Sequence, residues 1–177
     1  LLEGDKALLR CREHPVPVLS AAISPAAARR AARVGAGILL EAMSTIERQC
    51  ELCAAFDSEG GTQPKVLIRR VWLGDLPKDA VEQQRKVYES YSSSAAMKHW
   101  ARDQTVNGTD PADVADQLVD ALITVNADAL NLRVHLPGIN ESAARAQIER
   151  LGEELLPLLR ARLARREQVR KTEEGEA

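Results

Sequence analysis

The order of the apolar runs is the feature that most constrains the fold of this chain. Short apolar runs at residues 16–22, 37–41, 65–73 and 129–134 have the length of buried strands, and each precedes a segment with helical character. Strands that alternate with helices imply right-handed βαβ crossovers and a parallel sheet. Aromatic residues make up only 3% of the sequence. The core must therefore be built from Ala, Leu, Val and Ile, which suits helices packed on such a sheet.

Capping signals predict where the helices begin. Ser24 precedes a proline, and Asp110 precedes another, which is the pattern of an N-cap followed by proline at the first helical position. Ser44 with Glu47 three residues later has the spacing of a capping box. Asn140 is expected to cap the last long helix. Apolar residues at helical spacing predict the buried faces of the last two helices: Val114, Leu118, Leu122 and Val125, then Ala144, Ile148, Leu151 and Leu155.

Four parallel strands do not form a closed structure. A barrel of this kind needs about eight strands, and an open sheet of four leaves two edge strands able to pair with other chains. Three solutions are possible: further chain supplies four more strands, the segment forms oligomers, or the strands form a small open sheet. We expect residues 1–14 to be a lead-in, 15–166 to form the domain, and 167–177 to be a charged, disordered tail.

Charge and apolar patterning exclude several partners. The net charge of −2 and pI of about 6.0 leave no basic face for nucleic acid. No apolar run has the length of a membrane span, and the first twelve residues lack the pattern of a secretory signal. We therefore expect a cytoplasmic protein that binds neither nucleic acid nor membrane.

Cysteine and histidine spacing indicates no metal site. Cys50 and Cys53 have CxxC spacing, but no second pair and no nearby His completes a set of four ligands. We interpret both cysteines as reduced, structural residues of a helix. The three histidines show no HxH or HExxH pattern, and no nucleophile and base can be paired from spacing. Hydrolase and metalloenzyme functions are without support.

The turn at residues 21–24 is the best candidate for a binding site. Ala21, Ala22, Ile23 and Ser24 connect a strand directly to a helix, so unpaired N–H groups and the positive end of the helix dipole point at one spot, where an anion can bind. The alternative is an ordinary βα turn with a good cap. Arg133 lies near the C-terminal end of the fourth predicted strand, where it could pair either with an anion or with a neighbouring carboxylate.

Two other features remain open from sequence. Arg69 and Arg70 lie within one strand, so one faces the helices and the other the opposite side of the sheet. The stretch 92–107 is either a mobile lid or a short amphipathic helix that packs Met97 and Trp100 against the domain.

Four segments together resemble the luciferase-like monooxygenase superfamily. Residues 15–40 resemble its strand, phosphate loop, helix and next strand. Residues 65–75 resemble its seventh strand, 108–118 a late helix, and 129–138 its eighth strand and following loop. The resemblance implies an α/β fold, namely the C-terminal half, strands five to eight, of a (β/α)8 TIM barrel.

The resemblance also implies a function. The chain would be part of an oxidoreductase or monooxygenase that uses FMN, or alternatively coenzyme F420, to oxidise a small organic substrate. The cofactor phosphate would bind at residues 21–24 with Arg133, and the unidentified catalytic residues would lie in the other half, so that this segment alone would be inactive. The chain would associate with that half or with copies of itself. The alternative function is a non-catalytic half-barrel that binds a flavin or another chain.

Overall fold

The computed structural model describes residues 4–100 and 105–175 and contains one parallel sheet. The strands are β1 (Leu19–Ser20), β2 (Gly37–Leu40), β3 (Lys65–Leu73), β4 (Val106–Gly108) and β5 (Ala129–Arg133). The helices are α1 (Lys6–Glu13), α2 (Pro25–Arg33), α3 (Ile46–Ser58), α4 (Lys78–Tyr91), α5 (Ser94–Met97), α6 (Pro111–Val125), α7 (Glu141–Arg150) and α8 (Leu156–Gly175), with a π-helical turn, Leu151–Leu155, between α7 and α8.

Strand β3 is the centre of the sheet. The strand order is β1-β2-β3, and β3 then pairs with β5 along its first part and with β4 at its C-terminal end, always in parallel. The α/β class with a parallel sheet is thus confirmed. The bounds of β3 agree with the predicted run, β1 is shorter than predicted, and the three-residue β4 was not predicted at all.

Helices α2, α3, α6 and those at the C-terminus cover one face of this sheet with two apolar clusters. The first packs α2 and α3 on β2 and β3, and contains Ile38, Leu40, Leu52, Phe56 and Leu67. The second packs α6 and the C-terminal helices on β3 and β4, and contains Val71, Leu73, Val114, Leu118 and Leu155. The opposite face of β5 is open, because Ala129, Asn131 and Arg133 are exposed while Leu130 and Leu132 pack towards the helices.

Three of the four predicted caps are confirmed. The Ser24 hydroxyl accepts a hydrogen bond from Ala27 N, the Asp110 carboxylate from Ala112 N, and the Asn140 side chain from Ala143 N. The capping box at Ser44 was wrong. Thr45 is the N-cap of α3, and Ser44 instead donates its hydroxyl to Glu41 Oε1 at 2.8 Å.

The buried face of α7 also differs from the prediction. Ile148 is 59% exposed, although it was expected to face inward, and the buried residue is Gln147. Its side-chain amide accepts a hydrogen bond from Leu73 N and donates one to Leu73 O, both at 3.0 Å. This double hydrogen bond continues the pairing of β3 beyond the end of β5. The predicted burial of Leu151 and Leu155 is correct.

The C-terminal helix is longer than charge patterning suggests. α8 continues to Gly175, into the segment 167–177 that we expected to be a disordered tail. Among the described helices, none combines the length and apolar character needed to cross a membrane.

Candidate functional site

A cavity of about 200 Å³ opens at the C-terminal ends of β2 and β5, beside the middle of β3. In parallel α/β folds this is the edge at which ligands bind, because the strands present loops and helix N-termini there. The described residues that line it are Glu41, Ala42, Met43, Ile68, Arg70, Tyr88, Tyr91, Ser92, Trp100 and Arg133.

Two arginines on neighbouring strands share this cavity. Arg70 of β3 and Arg133 of β5 are register partners, so their side chains project from the same face of the sheet. The alternation expected for β3 is therefore resolved: Arg70 faces the cavity, and Arg69 faces the helices. Arg70 is 4% exposed, whereas Arg133 is exposed and makes no hydrogen bond or ion pair with any residue that the structure describes.

Arg69 lies on the helical face of β3, and its hydrogen bonds support the loop that lines the cavity. Its guanidinium donates to Gln49 Oε1 at 2.9 Å and to the Ile68 carbonyl at 3.0 Å. Gln49 in turn donates to the backbone carbonyl of Glu41 at 2.7 Å. Burial lowers the pKa of Arg69 to about 10, which still leaves it protonated at neutral pH. This buried chain of hydrogen bonds fixes the backbone of Glu41, while Ser44 holds its carboxylate.

Aromatic side chains form the remaining wall. Tyr88 and Tyr91 of α4 make an edge-to-face pair with ring centroids 5.8 Å apart. Trp100 reaches the cavity because its segment pairs with the loop after β2: Ser44 and Trp100 form an antiparallel bridge, and Thr45 N donates to the His99 carbonyl at 3.1 Å. The indole Nε1 of Trp100 is buried and has no hydrogen-bond partner within 4–100 and 105–175.

The stretch 92–107 contains a short helix, as in the second of the two alternatives considered from sequence. It includes the short helix α5, and Met97 at its end is half-buried. Residues 101–104 lie outside the described part of the chain.

The turn at residues 21–24 lies at the same edge of the sheet, at the end of β1. Ala22 is buried and its N–H donates to the Ser20 carbonyl at 2.8 Å, so that group is already used. Ile23 is 53% exposed. The N–H groups of Ile23 and Ser24 make no hydrogen bond with any described residue.

The structure does not bring Arg133 to this turn. β2 and β3 lie between β1 and β5, and neighbouring strands are about 4.8 Å apart, so the two candidates are separated by roughly 14 Å. The cation near the turn is Arg48 of α3, whose Nη2 donates to the Ile23 carbonyl at 3.0 Å. Sequence reasoning missed Arg48, although its place one turn into the helix that follows β2 was a usable signal.

The cysteines do not form a reactive pair. Cys53 is 1% exposed within the first apolar cluster, and burial raises its pKa to about 12. Cys50 contacts the Thr124 carbonyl through its Sγ at 3.2 Å. Within the described ranges no group of His, Cys, Asp and Glu could hold a metal ion. His14, His99 and His135 are exposed, and none of them lines the cavity.

Comparison with solved structures identifies the fold. The monooxygenase RslO1 from Streptomyces bottropensis matches with a TM-score of 0.57 and 20% identity, over 82% of this chain and 49% of that one. The EDTA monooxygenase EmoA from Chelativorans sp. BNC1 matches with a TM-score of 0.52 and 18% identity, over 84% and 45%. The apo form of MsnO8 matches with a TM-score of 0.51 and 16% identity, over 79% and 50%.

These matches show that the chain shares with these proteins an α/β fold in which helices pack on a parallel sheet. The chain spans about half the length of each of these proteins. No protein-family model matches the sequence, and no curated protein is similar to it.

Proposed function

We propose that the chain is the C-terminal half, strands five to eight, of a flavin-dependent luciferase-like oxidoreductase that oxidises a small organic substrate. The observation that carries the proposal is the match of this parallel sheet to about half of each monooxygenase. FMN is the proposed cofactor, and F420 is the alternative. We keep a cytoplasmic location as part of the same proposal.

The free edges and the open face of the sheet support the half-barrel proposal. Within the described residues β1 pairs only with β2, and β5 pairs only with β3, so each has a free edge. Leu19 is 39% exposed on β1, and Asn131 is exposed on β5. In a complete barrel such residues face an interior filled by side chains of all the strands. A coding sequence with about four further βα units upstream of Leu1 is the expected finding. An upstream sequence that encodes no such units would favour self-association.

We propose that the cofactor phosphate binds at the turn formed by Ala21, Ala22, Ile23 and Ser24. The N–H groups of Ile23 and Ser24 make no hydrogen bond with the part of the chain that the structure describes, and the N-terminus of α2 contributes a partial positive charge. Arg48 adds a cation close to the turn, where its Nη1 is also paired with the carboxylate of Glu51. Arg133, our sequence-based choice of charged residue, would contact the phosphate only if the cofactor extends across the strand ends.

Ile23 is the best position for a test, because it is 53% exposed and tolerates a charge without loss of packing. In the complete barrel, Ile23→Asp should place a carboxylate beside the phosphate and weaken FMN or F420 binding by about a hundredfold. The matched control is Val34→Asp, at the opposite end of α2, where Val34 is 77% exposed. Cofactor fluorescence gives the affinity. Equal cofactor affinity in the two variants would show that the phosphate does not bind at this turn.

Activity measurements on the complete barrel distinguish a catalytic function from cofactor binding alone. Substrate-dependent consumption of oxygen or of the reduced cofactor would support the oxidoreductase. Tight cofactor binding with no turnover of any substrate would favour the non-catalytic half-barrel.

A further inference from the structure

We propose that Arg70 and Arg133 bind the acid group of the substrate, and that the cavity accepts a small aromatic carboxylate. As a statement about the substrate, the proposal rests on the monooxygenase function proposed above. As a statement about ligand binding, it can be tested without any cofactor, so the two can fail separately.

The charges around the cavity support binding of an anion. Arg70 and Arg133 are register partners on adjacent strands, about 4.8 Å apart at the backbone, and both line the cavity. Like charges that share a cavity repel each other. Among the described lining residues Glu41 is the single carboxylate, and one of its oxygens accepts the Ser44 hydroxyl. Two cations thus face one anion. A carboxylate bound between the guanidiniums would relieve the repulsion and could accept a bidentate hydrogen bond from Arg133.

The walls of the cavity favour an aromatic ring behind that acid group. The sequence has two Trp, two Tyr and one Phe, and three of these five residues, Tyr88, Tyr91 and Trp100, line this one cavity. Met43 and Ile68 add apolar surface. Aromatic side chains attract a ring in edge-to-face or offset geometry. A chain so poor in aromatics places most of them where a flat apolar ligand would bind.

The size of the cavity suits a small substrate. The cavity of about 200 Å³ is small for a ligand site, since pockets for drug-sized ligands have volumes of roughly 300 to 1,000 Å³. A single ring with one acid group suits this volume. The buried Trp100 Nε1 has no hydrogen-bond partner among the described residues, and this donor is suited to a second acceptor on the ring.

The test uses benzoate as the probe and its neutral analogue benzamide as the reference, both measured by titration calorimetry without cofactor. Arg133→Met removes the charge and keeps an apolar stem, and because Arg133 is exposed the variant should fold. We expect benzoate binding to weaken at least tenfold, while benzamide binding changes less than about twofold. Arg133→Lys should recover part of the loss. The matched control is Arg145→Met on the exposed surface of α7, where 67% of the arginine side chain is accessible, and it should leave both affinities unchanged.

Inorganic phosphate separates the two possible sources of the anion. If the site serves the substrate, benzoate should bind more tightly than phosphate, because only benzoate contacts the aromatic wall. If phosphate binds more tightly than benzoate and its binding is lost in Arg133→Met, Arg133 would be assigned to the cofactor phosphate. That result would overturn the proposal. Equal benzoate affinity in the parent and Arg133→Met, or no benzoate binding by the parent, would also overturn it.

Discussion

Arg70 and Arg133 are register partners on the parallel strands β3 and β5, and both line the same cavity. Their placement follows from the alternation of side chains in strands, since paired residues of adjacent strands share a face. Arg69, the neighbour of Arg70, consequently points into the helical layer and bonds to Gln49. Two consecutive residues of one strand thus place one arginine in the cavity and the other in the helical layer.

The charge of Glu41 should oppose an anion in this cavity. Glu41→Gln removes that charge, while the amide oxygen can still accept the Ser44 hydroxyl. We expect benzoate to bind about three to ten times more tightly to this variant, because the repulsion at short range is lost. Glu47→Gln, on the exposed surface of α3, is the control and should not change the affinity. An unchanged affinity in Glu41→Gln would show that the ligand does not approach this carboxylate.

The elements that sequence predicted best are those whose signals are local. The nine-residue run of β3, of which six residues are apolar, needs no tertiary information, and Ser24 and Asp110 cap their helices through bonds within three residues. β4 was missed because three residues carry no periodic signal, and the strand exists only through its pairing with the end of β3. Ser44 was misassigned because Thr45, the next residue, has equal capping ability.

Gln147 shows a second way in which local patterns fail. Helical periodicity favours the apolar Ile148 for the buried face, but the backbone of Leu73 requires hydrogen-bond partners that only a polar side chain can supply. Gln147→Leu should therefore lower the free energy of unfolding by about 1 to 3 kcal/mol, because the buried Leu73 N–H loses its partner while the Leu73 carbonyl keeps the hydrogen bond from Arg150. Denaturant unfolding followed by circular dichroism measures this effect.

Ile148→Ala, one residue further along α7, is the matched control. Since Ile148 is 59% exposed, we expect its truncation to cost about 0.5 kcal/mol or less. If Ile148→Ala proves more destabilising than Gln147→Leu, the face of α7 assigned here is wrong.

Cys53 should behave as a packing residue with an inert thiol. Burial raises its pKa from the ordinary value of 9.0 to about 12, so almost no thiolate forms near neutral pH. In the folded protein a disulfide reagent at about pH 8 should modify the exposed Cys11 rapidly and Cys53 only after unfolding. Cys53→Ala should cost about 1 to 2 kcal/mol of stability. Modification of Cys53 as fast as that of Cys11 would contradict its burial.

The sign of the pH effect follows from that raised pKa. The folded state holds the Cys53 proton more tightly than the unfolded state, so the resulting stabilisation is complete below pH 9.0 and is lost as pH rises towards 12. The stability difference between the parent and Cys53→Ala should therefore shrink over this range. A difference that grows with pH would reverse the assignment.

The candidate site was only partly accessible to sequence reasoning. Arg133 could be chosen because it ends a predicted strand, but its partner could not, since alternation alone left Arg69 and Arg70 equivalent. Their faces are decided by the register with β5 and by the acceptor on Gln49. Tyr88 and Trp100 come from a helix and a loop whose positions depend on tertiary packing, so no spacing in the sequence relates them to the strand ends.

The free edge of β1 should make this chain associate when it is produced alone. Val18, directly before β1, is 64% exposed, and Leu19 on β1 is 39% exposed. Unpaired strand edges with apolar side chains are templates for pairing with another chain. We expect sedimentation velocity to show dimers or larger species whose fraction rises with protein concentration. Val18→Lys should raise the monomer fraction, because a charge at an edge strand opposes pairing. The control is Val34→Lys, away from the sheet edge, where Val34 is 77% exposed and is the C-cap of α2. A cooperatively folded monomer at all concentrations would show that the edges need no partner, and it would count equally against the half-barrel.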